Sequence, residues 1–211
     1  MTRNVKISLA AVGAFAIVVA ALLFATRPSG PESAPATQQV AAGDAKLNNA
    51  PNASVTMIEY MDFECPACAQ LHPVVDQLVQ QYGDRVQFVV RYFPLPMHPN
   101  GEPAALAAEA ANQQGRFPDM SAKLFETQQA WAGQPGAEQT FRGYAEELGL
   151  DMAAYDAAVA APATAEKVKA DTRAGAEAGV SGTPTFFVNG EQLNPQSVQD
   201  ITDALDRALG Q

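Results

Sequence analysis

Residues 55–70, VTMIEYMDFECPACAQ, contain the only two cysteines of this 211-residue chain. The apolar run 55–60 predicts a β-strand, and the C-x-x-C that follows it, Cys65-Pro66-Ala67-Cys68, predicts the start of a helix. Pro66 suits the first helical position, where an N–H would lack an intrahelical partner. The free N–H groups and the dipole of the helix favour a thiolate at the first sulfur. This arrangement is typical of a thiol–disulfide active site.

A metal site is the alternative interpretation of the cysteine pair. A structural zinc site needs a second ligand pair, and the chain has no further cysteine. Cys65, Cys68, His72 and His98 could still be drawn as a metal quartet. We instead expect His72 to be a partly buried helix residue and His98 to lie in a loop or cap, and we predict no metal.

The N-terminus indicates the compartment. Arg3 and Lys6 precede an uncharged, mainly apolar run over residues 7–26. Twenty residues in a helix reach about 30 Å, the thickness of a bilayer core, and the run is longer than the apolar region of most cleaved signal peptides. We therefore predict a short cytoplasmic N-terminus (1–6), an uncleaved transmembrane signal anchor (7–26) and a catalytic domain on the extracytoplasmic side of the cell membrane, where disulfides persist. A cleaved signal peptide remains the alternative.

The charge of the chain agrees with an exported domain. The formal net charge is −10, and residues 1–30 carry three positive charges and no acid, so the remainder is more acidic still. Such a surface excludes a sizeable basic footprint for nucleic acid. Residues 27–52 are rich in Pro, Ser, Ala, Thr, Gln and Gly, and we interpret them as a flexible tether. Residues 53–211 are enough for one domain.

The hydrophobic periodicity predicts an α/β domain around a small mixed sheet. After the first strand come a helix over 65–82, an apolar strand over 86–93, and several alanine-rich helices between about 100 and 180, one of them capped by Asp151. Strands at 185–188 and 191–193 flank Asn189-Gly190, the signature of a type I′ hairpin. A last helix is expected to place its apolar face on Val198, Ile201, Leu205 and Leu209.

Three segments together resemble the DsbA-like branch of the thioredoxin superfamily, and its membrane-anchored, BdbD-type members most of all. They are MIEYMDFECPACAQLHP (57–73), FPLPMHPNGEPAALAAEAA (93–111) and GVSGTPTFFVNG (179–190). The resemblance covers residues 50–211 approximately. It implies a thioredoxin-like fold with a DsbA-type helical insertion over about 100–180, and a cis peptide bond at Pro184 beside the cysteines.

The resemblance and the chemistry together assign roles. Cys65 is expected to be the exposed nucleophile and Cys68 the buried resolving thiol, because the helix start exposes the first sulfur and turns the second inward. Thr183 and Pro184 are expected to bind substrate, with the Thr183 backbone pairing with an extended chain. Pro66 and Ala67, between the cysteines, are expected to tune the redox potential.

Glu59 matches the position of the buried acid that the superfamily keeps beneath its active site. A buried carboxyl there could exchange protons with Cys68. An acid on an edge strand facing solvent is the alternative, which strand alternation does not exclude. We expect Asp62 and Glu64 to be solvated, with charges that oppose the Cys65 thiolate.

These inferences predict an extracytoplasmic thiol–disulfide oxidoreductase that oxidises exported proteins. No cofactor is expected beyond the Cys65–Cys68 disulfide, and the family implies re-oxidation by a quinone-linked membrane partner of the DsbB or VKOR kind. A reductase of the same fold is an open alternative, because direction depends on potential and partner. A membrane-anchored copper or zinc chaperone is another, although Met57, Met61 and Met97 are equally explained by core packing.

Overall fold

The computed structural model describes residues 39–211. The predicted cytoplasmic N-terminus (1–6), the transmembrane anchor (7–26) and the first part of the tether (27–38) lie outside the described residues. Within residues 39–211, none of the helices combines the length and the apolar character that a bilayer crossing requires.

A five-stranded mixed sheet forms the centre of the described domain. Its strands are β1 (Ala45–Lys46), β2 (Val55–Met61), β3 (Val86–Tyr92), β4 (Thr185–Val188) and β5 (Glu191–Gln192), arranged in the order β1-β3-β2-β4-β5. Strands β2 and β3 are parallel, in the register Val55↔Val86 to Met61↔Tyr92, and the other pairs are antiparallel. Strand β2 is the central strand, so the residues that follow it lie at the middle of one end of the sheet.

Eight helices surround the sheet in the described part of the chain. They are α1 (Pro66–Tyr82), α2 (Gly101–Asn112), α3 (Phe117–Glu126), α4 (Gln128–Trp131), α5 (Glu138–Glu147), α6 (Met152–Ala160), α7 (Pro162–Glu177) and α8 (Val198–Ala208). The helical insertion predicted over about 100–180 thus corresponds to α2–α7. Asp151 caps α6 as predicted, since its carboxylate accepts the N–H of Ala154.

The two faces of the sheet carry different helices. On one face Met57, Phe88 and Phe186 pack with side chains of α1 and α8. On the other face Tyr60 and Phe93 meet α7. That approach is so close that a Cβ at Gly175 would come within 2.8 Å of both rings, so only glycine fits there.

The insertion packs through small side chains. Helix α2 contributes a row of buried alanines, and Phe117, Met120, Leu124 and Phe141 from α3 and α5 close over them. The short hairpin after β4 turns at Asn189 and Gly190, which both have positive φ, as a type I′ turn requires. In α8 the predicted apolar face is correct for Ile201 and Leu205 but wrong for Val198, which is exposed because it occupies the first turn beside the Ser197–Asp200 capping box.

The tether was predicted to extend to residue 52, and its last part instead belongs to the folded domain. Ala45 and Lys46 pair with Val90 and Val89 at the edge of the sheet. The Asn48 side chain then bonds the backbone of Val86 and other groups of β3 and the preceding turn. Small and polar residues resemble a linker in composition, but here they satisfy backbone groups along the outer side of β3.

A buried ionic cluster holds this N-terminal segment on the domain. Arg91 lies 2.7 Å from Asp44 and 3.1 Å from Asp171, and Lys167 contacts both carboxylates. Arg91 also donates to the Gln39 carbonyl at 2.8 Å. Asp44, Arg91 and Asp171 are all buried, so each charge depends on the others for compensation.

We expect Asp44→Ala to destabilise the domain by about 3–5 kcal/mol, because Arg91 and Lys167 would lose one of their two carboxylate partners in a buried site. Urea denaturation of the reduced protein at pH 7 measures the effect. The control is Glu191→Ala on the exposed strand β5, which should change the free energy of unfolding by less than about 0.5 kcal/mol. Equal values for the two variants would contradict a stabilising role for the cluster.

Candidate functional site

The two cysteines lie at the start of α1, at the end of the sheet where the central strand β2 finishes. Both are present as free thiols. Cys65 is the N-cap residue with extended backbone angles, and Pro66 occupies the first helical turn as predicted. Cys65 is 6 % exposed and Cys68 1 %. The prediction of an exposed nucleophile is therefore correct only relative to Cys68, because neighbouring groups cover most of Cys65.

The environment of the cysteines separates their acidities. The pKa of Cys65 is lowered from 9.0 to about 5, chiefly by a hydrogen bond from the Cys68 thiol, with further contributions from the backbone N–H groups of Cys68 and Ala67. The same hydrogen bond raises the pKa of Cys68, and burial raises it further. At neutral pH the pair thus holds one thiolate, at Cys65, and one thiol.

Thr183 and Pro184 lie against Cys65 although 118 residues separate Thr183 from it. The Cys65 Sγ is 3.4 Å from the Thr183 carbonyl oxygen, and the Thr183–Pro184 peptide bond is cis. The Thr183 Oγ1 is buried and has no hydrogen-bond partner among the described residues. The structure therefore places the two predicted substrate-binding residues beside the nucleophile.

Glu59 is buried on β2, with only 6 % of its surface exposed. The pKa of this carboxyl is raised from 4.5 to about 8, mainly by burial and additionally by the charges of Asp76 and Cys65. A strand at the centre of the sheet excludes the alternative of an edge-strand acid in solvent. The charge of Glu59 in turn contributes to the raised pKa of Cys68, so the two groups are electrostatically coupled.

The prediction that Asp62 and Glu64 are solvated is wrong. Both are buried. The Asp62 carboxylate lies 2.6 Å from Nδ1 of His98 and accepts the N–H groups of Glu64 and Leu95. The Glu64 carboxylate accepts the N–H groups of Asn100 and Gly133, each at 2.6 Å. Backbone donors replace solvent at both carboxylates: the N–H groups of the insertion at Glu64, and those of Leu95 and Glu64 at Asp62.

Gln128 is a residue of the site that the sequence did not reveal. Its buried side chain donates from Nε2 to the carbonyl oxygens of Phe63 and Cys65, at 2.7 and 3.0 Å. Together with Glu64 it connects the insertion to the segment 62–65, which we call the catalytic loop. A glutamine 63 residues beyond Cys65, in an alanine- and glutamine-rich stretch, carries no local signal for this contact.

The two histidines are not gathered with the cysteines into a metal-binding group. The His72 ring packs on Phe125, with 4.8 Å between ring centroids, and faces Asp76 across one helical turn. His98 lies in the loop before α2 and contacts Asp62. Across residues 39–211, no three His, Cys, Asp or Glu side chains are arranged to hold a metal ion. Met57 and Met61 are core residues as expected, whereas Met97 is exposed.

An open groove of about 700 Å³ lies beside the first turns of α1. Helix α1 lines it with Pro66, Ala69 and Gln70, and the insertion lines it from Phe125 to Ala132. Pro66 and Ala67 are exposed, so the surface around the cysteine pair is accessible although the sulfurs are largely covered. The arrangement suits attack on Cys65 by a group that approaches along this surface.

Comparison with known sequences and structures agrees with this geometry. The sequence model of the thioredoxin family matches residues 48–207. Among solved structures, a thioredoxin-like oxidoreductase from Silicibacter pomeroyi DSS-3 is 27 % identical, covers 81 % of this chain and 95 % of its own, and has a TM-score of 0.68. Alpha-DsbA1 of Wolbachia pipientis (20 % identity, 82 % and 94 % coverage, TM-score 0.71) and BdbD of Bacillus subtilis (22 %, 85 % and 100 %, 0.66) share the fold.

Curated relatives carry a different kind of name. The Na(+)/H(+) antiporter NhaA of Herminiimonas arsenicoxydans is 40 % identical over 142 residues, which are 67 % of this chain and 22 % of that protein. NhaA 3 of Salinispora tropica is 39 % identical over 159 residues, 74 % of this chain and 24 % of that protein. The chain thus spans about a quarter of the length of the curated relatives that it matches.

The shifted acidities make opposite contributions to stability. Because the pKa of Glu59 is raised, the folded protein keeps a proton that the unfolded chain loses, and the free energy of unfolding falls between about pH 4.5 and 8. Because the pKa of Cys65 is lowered, the folded reduced protein loses a proton that the unfolded chain keeps. Its contribution to the free energy of unfolding therefore rises between about pH 5 and 9.

We expect these two contributions to be separable by variant and redox state. In reduced Glu59→Gln protein the free energy of unfolding should rise more steeply from pH 5 to pH 8 than in the reduced wild type, because the contribution of Cys65 is no longer opposed by that of Glu59. In the oxidised wild type, which has no thiolate, it should fall between about pH 4.5 and 8. Urea denaturation across this pH range measures both. Matching pH profiles for the oxidised wild type and oxidised Glu59→Gln would show that Glu59 is not the titrating group.

Proposed function

Because the chain belongs to the thioredoxin family and carries a C-x-x-C pair at the start of α1 in a DsbA-like fold, we propose that it is a protein thiol–disulfide oxidoreductase. The observation that carries the proposal is the division of acidity within the pair. Cys65 is ionised near neutral pH while Cys68 is a buried thiol. The proposal rests on this site and not on the antiporter names, since the chain matches only about a quarter of those proteins.

The direction that we propose is oxidation of substrate cysteines. A substrate thiolate attacks the Cys65 sulfur of the Cys65–Cys68 disulfide, and Cys68 leaves as a thiolate. A second substrate thiolate attacks the substrate sulfur of the mixed disulfide, which forms the substrate disulfide and releases Cys65 as its stabilised thiolate. Two electrons pass from the substrate dithiol to the cysteine pair, which is itself the redox group.

Glu59 supplies the proton balance of this cycle. With a pKa of about 8 the carboxyl is mostly protonated at neutral pH. It can give its proton to the Cys68 thiolate when that sulfur leaves, and take a proton back when the pair is re-oxidised. Electrostatic coupling between Glu59 and Cys68 supports this assignment.

Oxidation is favoured over reduction by the stability of the Cys65 thiolate. A pKa of about 5 lies between those of the strong oxidant DsbA, about 3.5, and of thioredoxin, about 7. A stabilised thiolate makes the reduced enzyme more stable and hence the disulfide a better oxidant. A reductase of the same fold would be favoured by a less acidic Cys65.

We further propose that the enzyme acts outside the cytoplasm, tethered by residues 7–26, on reduced exported proteins. The apolar run and the preceding positive charges support this location. A quinone-linked membrane protein of the DsbB or VKOR kind would return the pair to its disulfide. Membrane fractionation of cells that express the full chain, with protease access from outside, tests the location.

We expect Cys65→Ser to abolish oxidation of a reduced model protein, because the remaining buried Cys68 has no partner with which to form the disulfide that a substrate thiolate attacks. Cys68→Ser should instead accumulate mixed disulfides through Cys65, since the resolving thiol is missing. Oxidation is followed with a reduced model protein. Mixed disulfides are detected by non-reducing electrophoresis after the Cys65 thiolate of Cys68→Ser has attacked a disulfide-bonded substrate and displaced one of its two sulfurs as a thiolate. Faster alkylation of Cys68 than of Cys65 at pH 6 would show that the roles are reversed.

We expect Ala67→His to make the enzyme more oxidising. An imidazolium beside Cys65 would stabilise its thiolate further, lowering the Cys65 pKa and raising the potential together. The wild-type potential should lie between about −120 and −270 mV, the values for DsbA and thioredoxin. Equilibration with glutathione buffers measures it, with Ala67→Gln as the uncharged control. A mutant potential equal to or below that of the wild type would contradict the electrostatic explanation.

A further inference from the structure

The helical insertion holds the backbone of the catalytic loop through one buried amide. Nε2 of Gln128 lies 2.7 Å from the Phe63 carbonyl oxygen and 3.0 Å from the Cys65 carbonyl oxygen. An amide NH2 group has two hydrogens, and here both are used on the catalytic loop. Gln128 is therefore connected directly to the backbone of the nucleophile, although it lies in another part of the fold.

The Cys65 carbonyl is also the first acceptor of helix α1. It accepts the N–H of Ala69 at 3.2 Å, so its direction is tied to the orientation of the first turn. That turn supplies the N–H groups of Ala67 and Cys68 that act on the Cys65 sulfur. A donor that fixes this carbonyl thus also fixes how the first-turn N–H groups are aimed at Sγ.

A second set of hydrogen bonds connects the insertion to the residue before Cys65, and here the insertion backbone donates to a side chain of the loop. The Glu64 carboxylate, on the residue before Cys65, accepts backbone N–H groups of Asn100 and Gly133 from the insertion. The insertion therefore holds the catalytic loop in two ways. The Gln128 amide donates to carbonyls of the loop, and the Glu64 carboxylate of the loop accepts backbone N–H groups of the insertion. Asn100 is fully buried and bonds the Trp131 and Gln134 carbonyls, so the supporting segment is itself fixed.

We propose that Gln128 is a positioning residue for Cys65. It holds the Phe63 and Cys65 carbonyls so that the first-turn N–H groups of α1 stay directed at the Cys65 sulfur. The assignment rests on the proposed thiol–disulfide function for its purpose, but the geometry that it predicts concerns Cys65 alone. The insertion thereby contributes to the reactivity of the cysteine pair and does not act only as a cover.

Gln128→Met tests the assignment, because methionine keeps the length of the side chain and removes the donor. We expect the acid dissociation constant of Cys65 to fall about three- to tenfold, the effect of one buried hydrogen bond. The equilibrium with glutathione should shift by a similar factor toward the enzyme disulfide. The acid dissociation constant is measured from the pH dependence of Cys65 alkylation. These variants carry Cys68→Ser in addition, and each is compared with the Cys68→Ser protein. The glutathione equilibrium is measured in the two-cysteine protein by trapping the equilibrium mixture.

Gln87→Met provides a matched control. Gln87 is also buried and also donates twice from Nε2, to the backbone and side-chain oxygens of Asn48. It lies at the start of β3, whereas the cysteines follow the other end of the parallel strand β2. It should lower the free energy of unfolding without changing the Cys65 acidity or the glutathione equilibrium. Gln128→Asn, which keeps the amide one methylene shorter, should shift both quantities in the same direction as Gln128→Met, and it decides the matter if the methionine variant does not fold.

The outcomes distinguish this assignment from the proposed function. If the Gln128 variants lose stability but leave both quantities within twofold of their parents, Gln128 is a structural residue and the assignment is overturned. If the two-cysteine wild type does not exchange with glutathione, the proposed function fails. The alkylation profile still decides the role of Gln128 in that case, because it requires no disulfide exchange.

Discussion

Stabilisation of an ionised sulfur at the start of helix α1 is the constraint on which the site depends. The Cys65 thiolate is stabilised first by the thiol of Cys68 and then by first-turn N–H groups. Several elements build the site: α1 supplies Cys68 and these N–H groups, the loop before β4 places the Thr183 carbonyl 3.4 Å from the Cys65 sulfur, and the end of β2 leads into Cys65. These elements meet at one end of the sheet because β2 and β4 are neighbouring strands.

Burial then gives the surrounding acids unequal properties. Glu59 lies in an apolar layer between β2 and α1, and its pKa is raised mainly by the loss of water. Glu64 is equally buried but accepts two backbone N–H groups at 2.6 Å, which replace the water that it has lost. Two carboxyls five residues apart are therefore suited to different tasks, one to proton exchange and the other to holding a loop.

Several elements of the fold could be predicted from the sequence, because residues within a few positions of one another determine them. The apolar runs of β2 and β3, the C-x-x-C at a helix start, the Asp151 cap and the Asn189-Gly190 turn all depend on neighbouring residues. Asp62, Glu64, strand β1 and the Gln128 contact are different. Their polar groups are satisfied by partners 30 to 70 residues away, so composition alone suggested solvent or a linker.

The attachment of β1 has a mechanical consequence for the proposed tether at the N-terminal end of the domain. A pull on residue 39 is transmitted first to Arg91, which donates to the Gln39 carbonyl, and from there to Asp171 on α7. Strand β3 stands between β1 and β2, so the load enters the sheet at its edge. Under the proposed tethering, tension would reach the ionic cluster and the edge strand β1 first, and the cysteine pair follows β2, two strands further into the sheet.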